Sequence, residues 1–385
     1  MKYTFKKFIN DVHLWLGIAS GLILFVVCLT GTIYTFEAEV DEFFNAEKFE
    51  AAYTYGAKPL PAEELVSILT AKHEGKLTAI NIPEDKTRTY TISLKKSEKE
   101  RRGTPYYIDQ YTGEIKGTAK SKTGDFFLVV MRMHRWLLLD DSGGRIIVGV
   151  STIIFVVLVI SGLVLWWPSK LRLWKQGLKI KMSGNWKRTN HDLHNTLGFY
   201  SFILLLIMSL TGLCWSFDWY RNGLSTVLGD EIFKGRKEKP MISIAPSPDA
   251  KIITVEKIIA ATDKELPYKA DYQISFTKDS AAIVVYKTKM GFFALAASDK
   301  IQLDKYNGKT LKVERFEDKK FNEQIAASIR PLHTGEIFGT FSKILYFISC
   351  LIATSLPITG TIIWLNKLKK KPAKTAKKTV VSVEG

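Results

Sequence analysis

The 385-residue chain has six histidines, and five of them sit beside long uncharged runs: His13, His134, His191, His194 and His333. An imidazole can ligate a metal or move a proton near neutral pH, because one ring nitrogen keeps a lone pair while a hydrogen bond fixes the other. Two of the five stand in matching strings. Asp11-Val-His13-Leu-Trp-Leu-Gly17, twelve residues and then Thr30-Gly31 can be laid over Asp192-Leu-His194-Asn-Thr-Leu-Gly198, twelve residues and Thr211-Gly212. His134 lies in Met133-His-Arg-Trp136 and His333 in Pro331-Leu-His-Thr-Gly335. His191 precedes His194 by one helical turn on the same face and has no counterpart in the first string. His73, among Lys72, Glu74 and Lys76, reads as a solvated surface residue.

The elements that must position these rings are membrane helices. Val12 to Phe36, Ile146 to Trp167, Leu193 to Phe217 and Ile344 to Asn366 contain no Asp, Glu, Lys or Arg. About 20 mainly apolar residues suffice for a helix to cross the hydrocarbon core. The chain therefore reads as a mainly α membrane protein, a four-transmembrane-helix bundle with helices at 12–36, 143–167, 191–217 and 340–366. All nine Trp fall within or beside these spans, as an interfacial aromatic belt requires. Cys28, Cys214 and Cys350 lie inside spans and there is no C-x-x-C-H, which excludes a covalent c-type haem.

Charge gives the orientation. The formal net charge is +17, yet segments 1–11, 168–190 and 367–385 hold 17 basic residues and two acids between them. Short loops rich in Lys and Arg stay on the cytoplasmic side. That makes 1–11 a cytoplasmic N-terminus, 168–190 a basic cytoplasmic loop and 367–385 a basic cytoplasmic tail, with 37–142 and 218–339 on the outside. The mean hydropathy of +0.02 averages apolar spans with polar domains, and the basicity records topology, with no nucleic-acid partner implied. The first run is too long for a cleaved signal peptide, and no A-x-A-like site follows it.

The matching strings extend to a duplication. Ser161-Gly162 is followed four residues on by Trp166, and Thr359-Gly360 by Trp364. Two tandem helix–domain–helix repeats result, parallel to each other about an axis along the membrane normal. Within each outer segment a helix (near 62–71 and 255–261) precedes alternating strands (77–82 and 87–94; 272–276 and 281–286). A D-x-Y-[TN]-G hairpin turn follows at Asp109–Gly113 and Asp304–Gly308. These make two small extracytoplasmic α+β domains, in which no compact aromatic or basic cluster marks a ligand pocket. Asp11 and Asp192 read as helix N-caps, placing His13 and His194 in first helical turns.

Topology sorts the histidines by side: His13 and His194 cytoplasmic, His134 and His333 external. Two neutral imidazoles facing each other across a bundle can be the axial ligands of a b-type haem, which needs no covalent bond. With both axial positions filled, such a haem carries electrons. The expectation is two non-covalent bis-His haems, one between His13 and His194 and one between His134 and His333. His191 is left as a replacement for His194, a propionate partner or a bystander. Gly17, Gly21, Gly31, Gly198 and Gly212 would permit close helix approach or leave room for a macrocycle. Headgroup contact and plain packing are the competing readings of the same residues.

Taken together, several strings resemble the PepSY-associated transmembrane helix family over nearly the whole chain. They are D-x-H-x-x-L-G with its downstream T-G, His134-Arg-Trp-Leu137, Ser161-Gly-Leu-Val-Leu-Trp-Trp167, Pro331-Leu-His-Thr-Gly335 and the D-x-Y-T-G-E of Asp109 to Glu114. Better-known members are bacterial iron-regulated inner-membrane proteins, including di-haem ferric-siderophore reductases. The resemblance implies PepSY-like outer domains in the periplasm, a bacterial cytoplasmic (inner) membrane location, and His13, His134, His194 and His333 as ligands of haem iron. It also implies a ferric-siderophore substrate reduced in the periplasm for iron acquisition. Some relatives carry a fused flavodoxin-like reductase; this chain has no such domain and no G-x-G-x-x-G, so no flavin or NAD(P) site is expected. A separate reductase or quinol must then donate electrons. The alternative is a non-redox protein whose PepSY-like domains bind an envelope protease or other partner, the helices serving only as anchors. A transporter is disfavoured, since none of the four runs holds an Asp, Glu, Lys or Arg of the kind that marks transport paths.

Overall fold

The computed structural model describes residues 3–97, 100, 103–140, 143–234, 239–247, 250–276 and 281–369; most of the basic tail, 370–385, lies outside the described residues. The first half runs α1 (Phe5–Tyr34), α2 (Glu37–Phe44), α3 (Ala46–Phe49), α4 (Ala62–Lys72), β1 (Lys76–Ile82), β2 (Tyr90–Lys95), β3 (Thr104–Ile108), β4 (Ile115–Thr118), α5 (Lys122–Trp136) and α6 (Gly144–Trp166). After a 3₁₀ turn at Leu171–Gln176 come α7 (Trp186–Asp192), a π turn at Leu193–Leu197, α8 (Gly198–Ser216) and α9 (Asp218–Leu228). The second half continues through α10 (Val255–Glu265), β5 (Asp271–Ser275), β6 (Ile283–Thr288), β7 (Ser298–Leu303), β8 (Thr310–Glu314), α11 (Phe321–Ala327), α12 (Ile329–Thr334) and α13 (Gly339–Leu368).

Four helices among the described residues are long and apolar enough to cross a membrane: Phe5–Tyr34, Gly144–Trp166, Trp186–Ser216 and Gly339–Leu368. The protein is a multi-pass, mainly helical membrane protein. In the bundle α1 packs on α6 and α13, and α8 packs on the same two. Along α6, Ile146, Val150, Ile153, Val157, Ile160 and Val164 form an exposed apolar stripe at helical spacing, a surface suited to hydrocarbon.

The helices start earlier than their uncharged runs, because polar side chains near a span end can reach water. The N-cap of α1 is Thr4, whose Oγ1 accepts from Lys7 N at 3.3 Å. Asp11 is therefore no cap: it lies well inside α1 and accepts from the Tyr3 hydroxyl at 2.8 Å. Asp192 is not a cap either; it closes α7 and accepts from Arg188 Nε (2.9 Å) and Lys181 N (3.3 Å). His13 and His194 consequently sit deeper than a first turn.

The outer segments are not separate. Their strands form one antiparallel eight-stranded sheet ordered β4-β3-β2-β1-β5-β6-β7-β8. Ile80 in β1 faces Ile274 in β5, which holds the matching place in the other half. A four-stranded meander alone would leave β1 as an open edge; pairing it with its counterpart closes that edge, as an isologous dimer interface does. Ile80, Ile92, Leu94 and Ile108 share one core with Ile274, Val285, Ile301 and Leu303, covered by Leu65 and Leu69 of α4 and Ile258 of α10. Each D-x-Y-[TN]-G turn folds as read: Asp109 Oδ1 accepts from Tyr111 N (2.8 Å) and Asp304 Oδ1 from Tyr306 N (2.9 Å). Gly113 and Gly308 take φ of 72° and 73°, open to glycine without strain.

The two covering helices cap each other. Glu63 of α4 accepts from Val255 N, the first residue of α10, at 2.7 Å, and Glu256 of α10 accepts from Ala62 N, the first residue of α4, at 3.3 Å. A carboxylate at a helix start satisfies an orphan N–H and favours the helix dipole. Removing a cap costs about 1 kcal/mol, so the double variant Glu63→Ala/Glu256→Ala is expected to lose about 2 kcal/mol. Thermal unfolding in detergent checks this, with each single variant showing about half the shift.

Candidate functional site: two histidine pairs

Four histidines meet in two pairs, and each pair joins the two halves. The rings of His13 (α1) and His194 (π turn) have centroids 6.3 Å apart at an interplanar angle of 88°. The rings of His134 (α5) and His333 (α12) are likewise 6.3 Å apart, at 52°.

Each ring rests on a hydroxyl–glycine dipeptide of its own half. His13 Nδ1 lies 2.8 Å from Ser161 Oγ, and the ring Cε1 is 3.4 Å from where a Cβ on Gly162 would stand. His194 Nδ1 is 2.9 Å from Thr359 Oγ1, with Cε1 3.2 Å from a Cβ on Gly360. His134 Nδ1 donates to Val27 O at 2.9 Å, beside Thr30, with Cε1 3.2 Å from a Cβ on Gly31. His333 Nδ1 donates to Met208 O at 2.9 Å, beside Thr211, with Cε1 3.0 Å from a Cβ on Gly212. Val27 and Met208 precede their glycines by four residues, so on a helix their carbonyls lie just beneath the missing side chain. The glycine lets an imidazole lie flush against the backbone.

This arrangement sets the tautomer. A carbonyl only accepts, so His134 and His333 carry their proton on Nδ1. The Ser161 and Thr359 hydroxyls donate back to helix carbonyls, Leu158 O at 3.1 Å and Ser355 O at 3.0 Å. They therefore accept from His13 and His194. All four rings keep a free lone pair on Nε2, the form in which an orienting hydrogen bond prepares a histidine for a metal. Burial pushes both His134 and His333 below the ordinary imidazole range, His333 to about 4, with the neighbouring ring adding to the effect there. Neutral rings follow at physiological pH.

The surroundings differ between the pairs. The His13–His194 pair lines a cavity of about 670 Å³ with Gly17, Gly21, Gly198, Phe155, Phe202 and Leu356, a volume in the range of small-molecule sites. These glycines leave space in the cavity, and a Cβ at Gly17, Gly21 or Gly198 would stand 3.8–3.9 Å from a side chain of a neighbouring helix. His194 stands in the π turn at Leu193–Leu197, an irregularity that re-aims a side chain and is frequent at functional sites. The ring of Trp215 lies 5.1 Å from that of His333.

The remaining candidates stay outside the pairs. His191 is exposed, with Nδ1 3.5 Å from Asp192 Oδ1, although it borders the same cavity. His73 packs on Tyr106 at 4.6 Å. No group of three or more His, Cys, Asp or Glu able to hold a metal occurs among the described residues, so each site offers two ligands. The repeated S-G and T-G were visible as a pattern, but their role as ring seats was not. Nor was a cavity of about 350 Å³ where the halves meet, lined by Lys86, Tyr90 and Tyr111 from one half and Lys269 and Tyr272 from the other. The outer segments do contain an aromatic and basic cluster.

No curated protein matches the sequence. A family model described as the PepSY-associated TM region matches residues 11–367, an interval that contains both histidine pairs and all four seats. The chain belongs to the PepSY-associated transmembrane family.

Proposed function

We propose that this protein is a haem-containing membrane oxidoreductase that reduces a ferric chelate, with both termini in the cytoplasm and the eight-stranded sheet in the periplasm. The observation that carries the reading is the common 6.3 Å spacing of the two pairs. Two imidazoles that would each bind one ion through Nε2 at about 2.0–2.1 Å, with roughly 1.1 Å from Nε2 to the ring centre, would need ring centres no more than roughly 6.4 Å apart, and both pairs meet that limit. With two protein ligands per site, the remaining positions are left for a macrocycle.

His13 and His194 would hold one haem in the 670 Å³ cavity, and His134 and His333 the other. A haem so held supplies one-electron transfer, from a donor on the terminus side towards a ferric chelate on the sheet side. Ser161, Thr359, Val27 and Met208 fix each Nδ1 proton, which orients the ring and makes it a better ligand. Phe155, Phe202, Leu205 and Leu356 exclude water from the inner cavity. The separate donor, a reductase or quinol, and the ferric siderophore as substrate belong to the same proposal. So does iron acquisition across a bacterial inner membrane.

The full chain, produced with ample haem and purified in detergent, is expected to carry two low-spin haems. Haem quantification with a visible spectrum checks this. Zero or one haem per chain would overturn the two-site reading.

A further inference from the structure

His191 was left with three possible roles, and the inner cavity distinguishes among them. The cavity is polarised along its length. Beyond the His13–His194 level its wall is apolar, with Leu24, Phe155, Phe202 and Leu205. On the terminus side it is bordered by Lys6 and Lys7 of α1, Lys367 of α13 and His191 of α7, all exposed, and no Asp or Glu lines it among the described residues. At 1.5 Å per residue these groups stand about 5–10 Å from the ligand level along their helices. His191 has no hydroxyl–glycine seat, and its Nδ1 faces Asp192. Lys6 Nζ donates to Trp167 O at 2.9 Å and Lys7 lies over the Tyr3 ring at 5.3 Å, contacts that an exposed lysine exchanges readily.

We propose that this mouth is a carboxylate-binding subsite: His191, Lys6, Lys7 and Lys367 hold the two acidic groups of the macrocycle, while His194 alone ligates from its helix. The inference rests on the haem reading. It requires a ligand with an apolar planar body and two anionic groups on one edge, entering apolar edge first.

The test uses the full chain in a His134→Ala/His333→Ala background, so that only the inner site is read. Protein made without haem is titrated with haem and with haem dimethyl ester, followed at the Soret band. Free haem is expected to bind roughly tenfold or more tightly than the ester, about 1.4 kcal/mol for each factor of ten. Adding Lys6→Ala, Lys7→Ala, Lys367→Ala and His191→Gln should remove that difference while leaving ester affinity and the low-spin spectrum unchanged. Equal binding of acid and ester before these substitutions overturns the subsite and leaves the haem reading intact. Loss of the low-spin spectrum in His191→Gln alone overturns it too, by making His191 the ligand. A background that binds neither compound overturns the haem reading itself, and this inference with it.

Discussion

His194→Ala and His333→Ala are each expected to leave one haem per chain, and each to lower ferric-chelate reduction more than 100-fold. The magnitude follows from ligand supply. Each pair provides two imidazoles, and no third His, Cys, Asp or Glu completes a metal-holding group among the described residues. Removing an orienting partner of a metal ligand costs about 10–100-fold; removing the ligand costs more. The two variants should fail differently: His194→Ala loses the site in the 670 Å³ cavity, and His333→Ala loses the site beside Trp215. Haem quantification reads occupancy. Reduction is read in proteoliposomes with a coloured ferrous chelator. His73→Ala serves as control and should change neither, since its ring only packs on Tyr106. The fourfold variant His13→Ala/His134→Ala/His194→Ala/His333→Ala separates this reading from a partner-binding role for the sheet domain. A fourfold variant that folds, lacks haem and still supports function would favour the partner-binding role.

Gly212→Val is expected to empty the His333 site while sparing the His13 site. A Cβ at Gly212 would stand 3.0 Å from His333 Cε1, closer than at Gly31 or Gly360 (3.2 Å each) or Gly162 (3.4 Å). The ring cannot slide away without giving up its hydrogen bonds to Met208 O and Thr211 Oγ1. A β-branched residue adds two methyls on a stiff χ1, so the imidazole must leave its seat. Affinity at that site should fall at least 10–100-fold, as when an orienting partner is lost. Gly162→Ala, with the loosest seat, should be the mildest of the corresponding changes. Ser161→Ala and Thr359→Ala leave the ring space intact but remove the acceptors of the His13 and His194 Nδ1 protons. Their effect should therefore appear as weaker haem binding at the inner site only. If Gly212→Val retained two low-spin haems of unchanged affinity, the seat would have no part in positioning the ring.

Much of this architecture could be read along the chain because it depends on local rules. Hydrocarbon tolerates no unpaired charge, so uncharged runs of span length had to be helices. The D-x-Y-[TN]-G turns form from the carboxylate of Asp109 or Asp304 and the positive φ of Gly113 or Gly308, all within five residues. The histidines stood out by their spacing. Helix starts were misplaced because Thr4 rather than Asp11 caps α1: polar residues can extend a span into the interface, and hydropathy does not register that extension.

The long-range contacts that could not be read along the chain lie between the halves. That β1 pairs with β5 and that Glu63 and Glu256 exchange caps are contacts between matching residues far apart in sequence. The cavity between Tyr90 and Tyr272 has the same origin. The pairing of His13 with His194, by contrast, is expected from their shared side and is met by ring centroids 6.3 Å apart. The matching strings of the two halves specify helices, turns and ring seats, since those depend on neighbours within one element or one half. They do not specify how the halves dock. Docking is settled by burial of the open β1 edge and by bundle packing, and that packing brings four separately seated imidazoles into two pairs.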